Sequence, residues 1–124
     1  MDYTIKDSGE RREFDTGAVR DVSGGKGRFD LLPFLALWDL AKHYEKGCGK
    51  YGPENWLKGI PLRVMFDSAM RHSTEFFLGL EDGENHLIAA IWNLMGLYEL
   101  KKRIEFGLLP SELDDIPYIL RKKE

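Results

Sequence analysis

Cysteine is almost absent. Cys48 stands alone, which excludes an internal disulfide and removes the paired thiolates of a structural zinc site. A lone cysteine suits a reducing cytoplasm, and this one, set between glycines with no activating neighbour, carries no mark of a nucleophile. Long apolar runs are missing too. No stretch approaches the ~18 residues of a membrane span, and the polar opening MDYTIKDSGERREF has no signal-peptide core. Positive charge is not in excess either. At a net charge of −3 a duplex-binding surface is not expected, and a mildly acidic chain that handles a polyanion needs a metal ion or a few focused cations. The phosphate-loop pattern G-x-x-x-x-G-K-[ST] is absent, as are internal repeats and a convincing alternating strand pattern.

What remains is globular in composition. With 43% hydrophobic and 12% aromatic residues over 124 positions, the chain can build one core and is expected to form a single domain over 1–124. Apolar spacing predicts three helices. The first starts near Asp30 to Pro33 and ends around Lys46 or Gly47, where glycine stops helices well. The second runs from Pro61 or Leu62 to about Leu78, and the third from about Glu84 to Ile104. Ser111 before ELDD reads as the N-cap of a short final segment. Three or four helices with short connections give an all-α bundle. Helix three is apolar on most sides, through Leu87, Ile88, Ile91, Trp92, Leu94, Met95, Leu97 and Tyr98, which predicts a homo-oligomer.

Residues 1–29 read as an irregular, glycine-rich arm. Arg20, Lys26 and Arg28 are threaded among Gly17, Gly24, Gly25 and Gly27. This is either a flexible tail or a strap that meets phosphates with charge and backbone N–H groups. The loop between helices one and two holds Lys50, a candidate phosphate contact, with Asn55 and Trp56. Trp56 either plugs the core or stacks on a base, with the Asn55 amide reading a purine edge.

The chemistry concentrates between Arg71 and Asn93. Arg71, His72 and Glu75 share the end of helix two. Glu81, Asp82 and Glu84 crowd the turn, and His86 and Asn93 lie seven apart on one face of helix three. Polar groups set in an apolar helix need partners. The acidic turn is either a solvated loop or a hard-oxygen site for Mg²⁺ or Mn²⁺ built from Glu75, Glu81, Asp82 and Glu84. Glu75 is the leading candidate to accept a water proton. His86 orients that group or touches phosphate, and Arg71, His72 and Asn93 are candidate substrate contacts. His43 reads as a packing or surface histidine.

Three ordered motifs, TGAVRDVSGGKGRFDLLP, KYGPENWLKGIP, and RH followed by ENHLIAAIWNL, resemble the phage dATP/dGTP diphosphohydrolases, relatives of the MazG-like all-α pyrophosphohydrolases. The likeness spans roughly residues 14–103. It implies Mg²⁺-dependent cleavage of a purine deoxynucleoside triphosphate to the monophosphate and pyrophosphate. The MazG pattern has E-x-x-E on one helix and E-x-x-D on the next. Here those places hold His72-x-x-Glu75 and His86-x-x-Ala89, and Glu45, Glu81, Asp82 and Glu84 are candidates to complete the set. The alternatives are a nucleotide-binding module without hydrolysis and a helical interaction protein.

Overall fold

Two short segments of the arm pair, although neither is long enough to show an alternating pattern. In the computed structural model, which describes residues 3–122, β1 (Arg11–Glu13) runs antiparallel to β2 (Val19–Asp21), with Arg12 opposite Arg20. The Phe14 N–H donates to the Ala18 carbonyl at 2.9 Å and the Gly17 N–H to that of Phe14 at 2.8 Å. This turn places Gly17 at φ 87°, a conformation that costs a residue without Cβ little. The preceding segment is tied on by polar contacts. The Ser8 N–H and hydroxyl both donate to the Asp21 carboxylate, and Arg11 grips Asp7 through two bonds of 2.7 Å. The arm therefore contains an ordered hairpin where an irregular segment is expected. It belongs to the first of two compact units, Met1–Leu32, which also holds a 3₁₀ turn at Phe29–Leu31.

The second unit, Pro33–Glu124, is the all-α bundle. It comprises α1 (Phe34–Tyr51), α2 (Leu62–Phe77) and α3 (His86–Glu105), with 3₁₀ turns at Asn55–Lys58 and Ser111–Leu113. α1 runs past the expected stop at Lys46 or Gly47. Neither Gly47 nor Gly49 takes a positive φ; the left-handed glycine is Gly52, at φ 89° and directly before Pro53. Glycine permits a helix end but does not impose one, whereas a left-handed residue followed by proline does.

α2 and α3 form the main packing pair, and the reason is a matched stripe. Leu62, Met65, Ala69 and His72 recur at three- and four-residue steps on α2, as do His86, Ala89, Asn93, Gly96 and Leu100 on α3. Leu62, Met65 and Leu100 are the fully buried centre, surrounded by Trp56, Ile60, Trp92, Leu97, Ile104, Leu109 and Ile116. Gly96 leaves room for the end of the Met65 side chain, whose Cε would lie 2.6 Å from a Cβ at that position. α1 joins through rings: His43 and Tyr44 lie 5.8 and 5.7 Å from Trp92, and Tyr44 lies 6.0 Å from Trp56.

The C-terminal tail closes the far end of α2. Pro61, at that helix's N-cap, offers no side-chain cap, and the orphan Arg63 N–H is taken by Asp115 at 2.8 Å. Ser111 is not an N-cap. Pro110 occupies that position and Ser111 is the first residue of the 3₁₀ turn, with no side-chain cap bond.

Candidate metal centre

The matched stripe ends in histidine on both helices. α2 finishes just before the turn and α3 starts just after it, so the antiparallel pairing brings His72 and His86 face to face. Their Nδ1 atoms are 3.0 Å apart and their rings 5.2 Å apart, tilted by 30°. His86 is 3% exposed, and α3 is set there by the Asn85 side chain, which accepts the Ile88 N–H at 3.1 Å as the N-cap.

Carboxylates reach the histidine pair from both sides. Glu75 lies one residue short of a full turn beyond His72, and its Oε2 is 3.0 Å from His86 Nδ1 while its Oε1 meets Arg71 at 3.3 Å. Glu84 brings Oε2 to 3.8 Å from the same nitrogen. Donor atoms of His72, Glu75, Glu84 and His86 all lie within 4.8 Å of one another. Behind the pair, Asp82 Oδ1 is 2.8 Å from His86 Nε2 and accepts the Glu84 N–H at 3.1 Å. The Glu84 N–H, aided by His86 and opposed by desolvation, holds the Asp82 carboxyl below its usual range.

An ionised Asp82 only accepts, so the hydrogen on His86 sits on Nε2 and a neutral ring leaves Nδ1 bare. That bare nitrogen faces a Glu75 oxygen at 3.0 Å. His72 Nδ1, also 3.0 Å from that nitrogen, can donate to it, and a cation among the three groups would satisfy all of them. Two imidazole nitrogens and two carboxylates form a donor set that fits a divalent metal ion.

The remaining sequence candidates distribute as follows. Glu81 and Asp82 are outside the four converging donors; Asp82 supports His86 from behind, and Glu81 lines a cavity of about 590 Å³ with Phe76, Leu80, Glu84 and His86. Lys50, in the last turn of α1, lies over the Tyr51 ring at 5.0 Å. Its pKa is raised by the Tyr51 hydroxyl first and by the Glu84 charge last. Trp56 packs against the core, the commoner of its two readings, and Asn55 is half-buried beside it. Asn93 is 7% exposed and its Nδ2 donates to the Ala89 carbonyl of its own helix at 2.8 Å. That bond meets the need for a partner without a ligand. In the first unit, Arg28 is paired with Asp30 by two 2.8 Å bonds, Lys26 lies 3.5 Å from Asp21, and Arg20 faces Arg12 across the hairpin.

Sequence reasoning missed His43 as a neighbour of this cluster. Burial, then the charges of Lys46 and His72, push its imidazole down, with Glu84 opposing. The missing signal is tertiary, because His43 comes from α1 and no spacing links it to the turn. Residues 16–107 match the family described as dATP/dGTP diphosphohydrolase, N-terminal. The chain belongs to that family. No curated protein and no solved structure matches the chain. The diphosphohydrolase match takes in all four donors of the cluster, the turn between them and the cavity that Glu84 and His86 line.

Proposed function

We propose that the protein hydrolyses a purine deoxynucleoside triphosphate, dATP or dGTP, to the monophosphate and pyrophosphate with a divalent ion, Mg²⁺ or Mn²⁺, at the histidine–carboxylate cluster. The observation that carries this reading is the convergence of four metal-type donors where α2 and α3 meet, two of which, Glu84 and His86, line the cavity of about 590 Å³, within a diphosphohydrolase family member. The volume suits a nucleotide-sized ligand.

A divalent ion, when bound, polarises phosphate oxygens and lowers the pKa of a water. The protein's own part is to hold and to accept protons. Asp82 fixes the His86 tautomer and ring plane, and Arg71 holds one oxygen of Glu75 so that the other faces the cluster. Glu75 and Glu84 supply negative charge for the ion, and Glu75 accepts the proton of the attacking water. Lys50 and Arg71 neutralise charge on the triphosphate. A cytoplasmic setting suits the free, exposed Cys48, and among the described residues no helix is long and apolar enough to cross a membrane. Self-association belongs to the same proposal.

The deciding measurement is pyrophosphate release from the four deoxy- and four ribonucleoside triphosphates with added Mg²⁺ or Mn²⁺. Release from dATP or dGTP above the pyrimidines is expected. A flat or pyrimidine-biased profile would sink the purine assignment. Thermal stabilisation by dGTP without any release would leave a binding module in its place.

A further inference from the structure

We infer that the cluster of His72, Glu75, Glu84 and His86 selects a nitrogen-binding first-row dication, of the series from Mn²⁺ to Zn²⁺, over Mg²⁺, with both histidines ligating through Nδ1. This rests on the proposed metal site and goes further by naming the class of ion and the ligating atoms.

Four observations lead there. Half of the converging donors are imidazole nitrogens. Mg²⁺ takes oxygen ligands at about 2.0–2.1 Å in near-octahedral geometry and rarely gives up water for nitrogen, whereas imidazole suits the later first-row ions. Both rings turn the same nitrogen inward, with the Nδ1 atoms 3.0 Å apart. The opposite nitrogen of His86 is held by Asp82 at 2.8 Å, an arrangement that fixes the tautomer with its lone pair toward an ion. Finally, His86 is buried at 3% exposure, so it cannot swing aside to leave an all-oxygen site. Without the rings an ion would keep only Glu75, one oxygen of which is shared with Arg71, and the exposed Glu84.

Mn²⁺ lies at the weak end of the series for nitrogen ligands, and it accepts carboxylates readily. The two glutamates therefore keep it within range of this site, and the two histidines separate it from Mg²⁺. Binding to the full chain should tighten from Mn²⁺ through Co²⁺ to Zn²⁺.

The test uses the full-length chain stripped of metal. Mn²⁺ and Mg²⁺ are titrated by calorimetry, and Co²⁺ by its visible absorption, which reports the coordination number and ligand field of the bound ion. Mn²⁺ and Co²⁺ are expected to bind at least ~10-fold tighter than Mg²⁺. His72→Ala, at a half-buried position, should reduce that preference to within a few-fold, with circular dichroism confirming the fold. In ¹⁵N spectra of the unsubstituted protein, Zn²⁺ should move Nδ1 of His72 and His86 while His86 Nε2 keeps its proton, and Mg²⁺ should move neither. Equal affinities for Mg²⁺ and Mn²⁺, or a Zn²⁺ response at Nε2, would overturn the inference alone. Failure of all four ions to bind would remove the proposed metal-dependent hydrolysis along with it.

Discussion

Two carboxylates act on His86 from opposite ring nitrogens, and they are expected to fail differently when changed. Asp82→Asn keeps an acceptor near Nε2 but loses the charge that fixes the tautomer. Metal affinity should fall about 10–100-fold, the usual effect of removing such a partner, while the melting curve of the metal-free protein stays in place. Calorimetry with Mn²⁺ checks this, and unchanged affinity would deny Asp82 its role. Glu75→Gln removes a donor charge from the cluster itself. Pyrophosphate release should drop at least ~100-fold at saturating metal, because charge that stabilises the phosphoryl transition state is lost. Near-normal turnover across a metal titration would place the chemistry elsewhere. At this scale the grouping of Glu75 with Glu84 is legible in the sequence, since clustered carboxylates announce themselves; whether they hold metal is what these variants test. The facing of the two histidines is not legible there. His72 and His86 are fourteen positions apart on different helices, and only the antiparallel stripe turns both Nδ1 atoms inward.

The elements are held by contacts between distant parts of the chain, and here the sequence revealed less. Helix existence followed from apolar periodicity, and α2 and α3 fall close to where it placed them. The end of α1 did not, because Gly47 looks like a stop and is not. The cap of α2 was invisible as well, since Asp115 reaches it from 52 residues away. Asp115→Ala should therefore destabilise the bundle by about 0.5–2 kcal/mol, as loss of a cap does. Urea denaturation measures it, and an unaltered midpoint would remove the tail from the folded core. In the hairpin, Arg11 first and the Gly9 N–H second lower the Asp7 pKa from 3.8 to about 2. A depressed carboxylate contributes stability that is complete above its unfolded value and is lost as pH falls through its folded value. The Asp7–Arg11 contact should thus weaken between pH 3.8 and about 2. An NMR titration of the Asp7 carboxyl should show a midpoint near 2, rising toward 3.8 in Arg11→Ala. A normal midpoint in the unsubstituted protein would dissolve the pair.

At the scale of the whole molecule, the helical unit buries few large side chains completely, and much of its apolar surface is left outward. Phe66 and Met70 on α2 border an apolar cavity of about 690 Å³ whose far wall is the tail from Ile116 to Leu120. Within that wall Ile119 and Leu120 are 85% and 95% exposed. On α3, Leu87, Leu94, Met95 and Tyr98 also face outward, because α1, α2 and the 3₁₀ turn at Ser111–Leu113 leave part of this apolar helix uncovered. Scattered exposed leucines need no explanation, but contiguous apolar surface on a small chain marks an association site. A second copy covering the α2–tail groove would bury Phe66, Met70, Ile119 and Leu120 together. Light scattering at micromolar concentration is expected to give at least a dimer. Phe66→Glu should shift that equilibrium toward monomer and lower the melting temperature, since association stabilises the folded state by mass action. The four candidate donors all come from one chain, so Mn²⁺ should still bind the monomeric variant. A monomeric unsubstituted protein would reject the oligomer and leave the cluster untouched, whereas loss of Mn²⁺ binding on dissociation would mean that the partner helps to build the site.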